Sequence, residues 1–236
     1  MNAIIGLLKF LLKRNSEIAK MEHLETQEIV NGIYAINTKN ANFYVVKIDD
    51  DCIAIDAGGG DENIVKTELE KLNIVPEEIT AVLLTHTDFD HIAALSLFKN
   101  ATIYISKQEE QVLDGSVPRL SFGGKNKLNY NYSTIEDNEE LCFGKLKVKS
   151  ILTPGHTIGS MSFLINDKYL FAGDNLSLQN GLVGLFNSIF NMSDDTQTKS
   201  IRNLAKIATT EYIFTAHYGF TDKSTEAFSH FAIRAH

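Results

Sequence analysis

The sequence predicts a layered α/β domain, and three observations carry that prediction. Short apolar runs rich in Ile, Val, Tyr and Phe, broken by Asn, Asp and Gly, recur along the chain as strands do. Segments with apolar residues at helical spacing lie between them, so the pattern alternates between the two periods. The chain has 236 residues at 44% hydrophobic and 22% charged with only 3 prolines, which suits one domain with a sizeable core and no Pro-rich linker.

In chain order, G-I-Y-A-I (32–36), N-F-Y-V-V-K-I (42–48) and C-I-A-I (52–55) read as consecutive strands, which the G-G-G run at 58–60 breaks. The following stretch places Ile64, Val65, Leu69 and Leu72 on one helical face with acidic residues in its first turn. I-T-A-V-L-L (79–84) reads as a buried strand, Ile92, Leu95 and Phe98 mark a short helix, and A-T-I-Y-I (101–105) is another strand. Residues 112–135 have weak periodicity and read as a long loop or an insert over a site. Strands follow at 146–152, 161–166 and 168–172, then an irregular apolar stretch at 176–193, a helix at 196–208, a strand at 211–216 and a final helix near 224–233.

The net charge of −8 argues against a broad phosphate-binding face, so no nucleic-acid partner is expected. Two distant cysteines, Cys52 and Cys142, fit a reducing compartment, and the expected location is cytoplasmic. The first 22 residues are expected to form an N-terminal amphipathic helix ahead of a domain over 23–236. Its apolar stretch, A-I-I-G-L-L-K-F-L-L-K-R (3–14), is too short to span a bilayer, and its charges lie within and behind it rather than before it, unlike a signal peptide. It is expected to pack on the body or on another copy, or to touch a membrane surface peripherally.

The chemistry concentrates at strand ends. T-H-T-D-F-D-H (85–91) puts His86, Asp88, Asp90 and His91 directly after a strand, and an extended exit sets His86, Asp88 and Asp90 to one side. A strand-to-helix turn with Thr and Asp as caps accounts for one acidic residue there, but not for the whole cluster. T-P-G-H-T-I-G-S (153–160) presents His156 after a Pro-Gly turn, with Gly159 leaving room for close backbone approach. Y-L-F-A-G-D-N (169–175) delivers Asp174, and I-F-T-A-H-Y-G (213–219) delivers His217. Of the 7 histidines, His23, His230 and His236 fall in surface-like or terminal contexts, whereas the other four sit at strand ends. Imidazole and carboxylate together suit zinc, iron or manganese, and no thiolate cluster points to a structural zinc site.

The order H-x-[H/D]-x-D-H, then a G-H-T turn, then G-D, then a late His resembles the metallo-β-lactamase superfamily of hydrolases over residues from about 30 to 220. That resemblance implies a four-layer αββα sandwich of the metallo-β-lactamase type and two divalent ions, zinc foremost, with manganese or iron as alternatives. By position, His86, Asp88 and His156 would hold the first ion, Asp90, His91 and His217 the second, and Asp174 would bridge them. Asp56, in C-I-A-I-D-A-G, matches an aspartate that supports the site from behind, or is a turn aspartate before the Gly run. A metal-bridging hydroxide would attack a carbonyl or phosphoryl centre, with Asp90 among the catalytic side chains and Tyr218 donating to the oxyanion.

Asp88 departs from the commoner histidine at its position. Two divalent ions against three carboxylates leave one positive charge where histidine would leave two, which predicts a less acidified water and activity falling below neutral pH. The expected substrate is a small molecule: an ester, thioester or lactone. The alternatives are a phosphodiesterase or nuclease of the same fold, or an iron protein handling oxygen or persulfides. L-V-G-L-F-N-S-I-F (182–190) offers an apolar wall or core, while Arg119 and Lys125 meet an anionic group or serve solubility.

Overall fold

A computed structural model of the chain describes residues 11–12, 14–16, 18–119, 126–207 and 209–231. Most of the basic apolar stretch at 3–14, Lys125, His236 and the end of the last predicted helix lie outside them.

Two sheets face each other. The first has seven strands in sequence order: β1 (Gln27–Val30), β2 (Ile33–Asn37), β3 (Asn42–Ile48), β4 (Asp51–Ile55), β5 (Ala81–Leu83), β6 (Thr102–Ser106) and β7 (Tyr132–Ile135). Its first four strands are antiparallel; β4, β5, β6 and β7 then pair in parallel through crossovers. The second has six strands, formed by β8 (Glu140–Phe143), β9 (Leu146–Leu152), β10 (Met161–Ile165), β11 (Tyr169–Phe171), β14 (Tyr212–Phe214) and β15 (Phe220–Thr221), in the order β15-β14-β11-β10-β9-β8. A small hairpin, β12 (Ser177–Gln179) and β13 (Leu182–Gly184), lies within the stretch read as irregular.

Side-chain alternation builds the layers. On β3, Tyr44 and Val46 point toward the second sheet, whereas Phe43 and Val45 point outward; on β4, Ile53 and Ile55 go one way and Cys52 and Ala54 the other. The inward set meets Leu146, Val148, Met161, Phe163, Phe171 and Phe214 of the facing sheet, and this central core is continuous. The outward set packs on α1 (Glu62–Lys71) through Val65 and Leu69 and on Ala94 and Leu95 behind α2 (Phe89–Ile92). Beyond the second sheet, α4 (Asp194–Leu204) buries Ile201 and Leu204 against Leu164, Leu170 and Ile213, and α5 (Ser224–Ala227) adds Ala227. A short α3 (Glu110–Asp114) follows β6. These layers are the αββα sandwich that the family resemblance implies.

α1 starts at Asp61, whose carboxylate caps the Asn63 amide, and carries Glu62 in its first turn and Lys71 in its last, both placed favourably for the helix dipole. The loop expectation for 112–135 needs correction at both ends: α3 runs to Asp114 at its start, and β7 occupies its end. Residues 11, 12, 14–16 and 18 are helical, and the chain then joins the body where the Glu22 amide donates to the His217 carbonyl at 2.8 Å. Among the described residues no helix is long and apolar enough to cross a membrane.

Candidate metal centre

The centre lies where five strands end on one edge of the sandwich: Asp56 follows β4, His86 follows β5, His156 follows β9, Asp174 follows β11 and His217 follows β14. Asp88 precedes α2, whose first turn carries Asp90 and whose third residue is His91. The sheets therefore position most of these side chains through rigid backbone, and only short turns intervene.

Two groups of ligand-type side chains form. His86, His156 and Asp174 make one, and Asp90, His91 and His217 make the other, with one ligand atom from each within 4.8 Å of those of its group. Asp174 ties them together: its Oδ1 is 3.4 Å from His91 Nε2 and 3.3 Å from His217 Nε2, and its Oδ2 is 3.5 Å from His156 Nε2. His86 Nε2, His91 Nε2 and Asp174 Oδ1 are buried with no hydrogen-bond partner. Buried polar atoms are nearly always paired, so three such atoms converging on one spot fit a bound cation, and imidazole with carboxylate is a donor set for zinc or a similar divalent ion.

The surroundings hold the ligands by their far sides. Asp56 accepts from the Thr85 amide at 2.7 Å, the Thr85 hydroxyl at 2.9 Å and His91 Nδ1 at 2.8 Å. Thr85 Oγ1 also lies 3.0 Å from His86 Nδ1, so one carboxylate orients two imidazoles and leaves both Nε2 atoms facing the centre. Asp56 has φ 65, a left-handed backbone uncommon outside glycine, and this turn aims its carboxylate inward. His156 Nδ1 is 3.3 Å from Asn191 Oδ1, and Gln197 supports both Asn191 and the Asp174 carbonyl. Gly173, at φ 53, abuts Thr85, while Gly159 lies against the Glu109 backbone, so a Cβ at either would collide with the scaffold of the site.

Glu109, which the sequence reading overlooks, connects the two ligand turns. It is fully buried and accepts from the Thr87 amide, the Thr87 hydroxyl and the Thr157 hydroxyl at 3.0, 2.9 and 2.7 Å. Those threonines adjoin His86 and His156. Nothing local marks Glu109, since it reaches the site only through the β6 crossover.

Asp88 lies against the first group, its Oδ2 3.2 Å from His156 Nε2 and 3.6 Å from His86 Nε2. Arg119 Nε donates to its two oxygens at 2.8 and 3.1 Å, Arg119 Nη2 to Oδ2 at 2.6 Å, and Asn126 Nδ2 to Oδ1 at 2.8 Å. Arg119 is accordingly a buried ion-pair partner and not an exposed loop cation, and its charge offsets the one that aspartate adds. His23 is not in a surface-like setting, because its Nε2 lies 3.2 Å from His217 Nδ1; burial and that neighbouring imidazole hold its pKa below the usual histidine value. Tyr218, beside His217, is buried and meets Phe186 edge-on at 5.9 Å between centroids.

Charge is arranged asymmetrically. Burial opposes the charged form of His91, yet Asp174 and Asp56 hold its pKa well above the ordinary value; burial likewise opposes His217, and Asp174 raises it. Burial holds His156 below its ordinary value. Burial works against the Asp174 carboxylate too, but His217 and His91 keep its pKa well below the usual range. In the metal-free protein His91 and His217 thus retain protons as the pH rises through the range where a free histidine loses them. A cation needs their lone pairs, so metal affinity is expected to rise with pH through neutrality, with proton release on binding. Calorimetric titrations in buffers of different ionisation enthalpy measure that release, and a pH-independent affinity without it would contradict the expectation.

A cavity of about 350 Å³ opens over the centre, with Asp88, Asp90, His156, Asp174 and His217 at its floor. Ile18, Met21, Phe89, Phe186 and Phe190 form apolar walls, and Arg14 and Lys39 contribute cations. Arg14 and Ile18 of the helical N-terminal segment border the cavity, and Phe186 and Phe190 of the 182–190 run form part of the wall.

A two-sheet sandwich with histidine and aspartate groups at one edge defines a metallo-hydrolase class of protein. The profile of the metallo-β-lactamase superfamily matches residues 36–217, and the chain belongs to that family. It is 30% identical over 162 residues to the probable metallo-hydrolase MJ0296 of Methanocaldococcus jannaschii, covering 69% of this chain and 68% of that protein. A hydroxyacylglutathione hydrolase of Psychromonas ingrahamii is 29% identical over 168 residues, 70% of this chain and 56% of its own length. Among solved structures, a subclass B3 metallo-β-lactamase with an active-site glutamic acid superposes with a TM-score of 0.68 at 17% identity, over 93% of this chain and 90% of that one, a likeness of fold.

Proposed function

We propose that the centre takes up two divalent ions, zinc foremost, and hydrolyses an ester, thioester or lactone of a small molecule. The observation that carries this reading is the convergence of two three-residue ligand groups on Asp174 beneath a cavity with apolar walls. His86, His156 and Asp174 would hold one ion, and Asp90, His91 and His217, sharing Asp174, the other. Bound there, the ions would supply Lewis acidity toward the carbonyl oxygen and acidify the attacking water.

The chain's own residues do the rest. Asp56 fixes the tautomer and direction of His91 and, through Thr85, of His86. Phe186, Phe190 and Phe89 receive the apolar part of the substrate and exclude water from it. Asp90, the more exposed carboxylate of its group, lines the cavity and is placed to take the proton of the attacking water. Water adds to the carbonyl carbon, the carbon–oxygen or carbon–sulfur bond breaks, and that proton ends on the departing alkoxide or thiolate. The relationship to a hydroxyacylglutathione hydrolase supports a thioester among these substrates.

A panel of thioesters, lactones, esters and phosphodiesters, run on the metal-loaded protein and on His156→Ala, tests this. Cleavage of an acyl substrate that His156→Ala reduces by about 100-fold or more is expected. Cleavage of phosphodiesters alone, or activity untouched by the substitution, would overturn it.

A further inference from the structure

Arg119 holds an unusual place for a guanidinium. It is 6% exposed, forks onto Asp88, and brings Nη2 to 2.9 Å from His156 Nε2. Arginine has no lone pair to offer, so in that contact Nη2 donates and the imidazole nitrogen accepts. The accepting lone pair is the one a metal ion bound by His86, His156 and Asp174 would need. A nitrogen lone pair serves one partner at a time, and two cations within a few ångströms in a buried site repel each other strongly. At the other group His91 Nε2 faces Asp174 at 3.4 Å and His217 Nε2 faces Asp90 and Asp174 at 3.4 and 3.3 Å, carboxylates rather than a guanidinium, so an ion displaces protons there and no fixed cation. Arg119 is also imperfectly satisfied where it sits, since its Nη1 is buried without a hydrogen-bond partner.

We propose that Arg119 acts as a resident cation at the first ligand group, competing with a metal ion for His156 Nε2 and Asp88, so that the centre fills in two unequal steps. The Asp90–His91–His217 group, with Asp174, fills first and independently of Arg119; the His86–His156–Asp174 group fills only as the guanidinium withdraws. This rests on the metal-binding part of the proposed function and adds an order of filling that the chain sets itself. It also gives Asp88 a purpose: histidine there would supply another ligand, whereas aspartate secures the competitor.

The test is a zinc titration of the metal-free full-length protein by calorimetry, with elemental analysis after desalting. Wild type is expected to bind a first equivalent tightly and a second roughly 10- to 100-fold more weakly. In Arg119→Met the second step tightens by that factor and the first is unchanged. Should the methionine variant fail to fold, Arg119→Gln keeps a donor for Asp88 while losing the charge, and the second step is again expected to tighten. Two equal steps in wild type, or a second step unaltered in whichever variants fold, would overturn the proposal. Stepwise binding that Arg119 controls, without cleavage of any acyl substrate, would support the proposal while overturning the hydrolase reading; absence of zinc binding would overturn both.

Discussion

Replacement of Asp174 by alanine is expected to abolish metal retention and turnover together. This carboxylate belongs to the first ligand group and reaches the second, with oxygens 3.3 to 3.5 Å from His217, His91 and His156. Losing a residue that merely supports a ligand costs about 10- to 100-fold in metal affinity, so the loss here should exceed that range for both ions. The same substitution has a consequence in the metal-free protein with a definite sign. Because His217 and His91 keep the folded-state pKa of Asp174 well below its unfolded value, its ionisation stabilises the fold above the ordinary aspartate range, and that contribution is lost as the pH falls toward the folded value. Below the ordinary aspartate range the metal-free Asp174→Ala protein should therefore lose less stability than wild type on acidification, whereas through the histidine range it should lose more, because it lacks the carboxylate that favours protonated His91 and His217. Thermal melts across pH, paired with elemental analysis, measure both effects.

Glu109→Ala is expected to be the most damaging single change outside the ligands. It would strip acceptors from the Thr87 amide and from the hydroxyls of Thr87 and Thr157 in a fully buried setting. Each buried donor left unpaired costs about 1 to 3 kcal/mol, and since the Thr157 hydroxyl keeps Ser160 Oγ as a partner, the two donors of Thr87 set a loss of about 2 to 6 kcal/mol, a fall in Tm on the order of 10 °C for a chain of this size. Since the two threonines adjoin His86 and His156, metal affinity at the first group should fall as well. Glu109→Gln keeps a carbonyl acceptor and should lose less of both. Equal melting of wild type and Glu109→Ala would refute the bridging role.

What the sequence makes legible follows from how local each determinant is. β3, β4 and β9 are apolar enough to announce themselves, and the ligands follow strands within a few residues, so His86, His156, Asp174 and His217 stand out in the chain. β7 and β8 are hidden because they are edge strands with mostly exposed or half-buried side chains and so lack a core-facing pattern. β12 and β13 pair only with each other, in a stretch whose apolar residues serve the outer core and the cavity wall. Arg119, Asn126, Glu109 and His23 carry no local signature. Arg119 lies 31 positions from Asp88, and His23 lies 194 from His217, so only the closed sandwich brings them to the site. Asp88 shows the same limit: its charge can be read from the sequence, but its buried partner Arg119 cannot.

The central claim is that the strand-end cluster is a metal centre on which hydrolysis depends. Elemental analysis of the purified protein before and after chelation, with acyl hydrolysis followed on the same samples, tests it most directly. The account predicts at least one zinc, manganese or iron ion per chain, activity lost with the ion and restored on its return, and neither ion nor activity in Asp174→Ala. Full acyl hydrolysis by protein stripped of metal would contradict it.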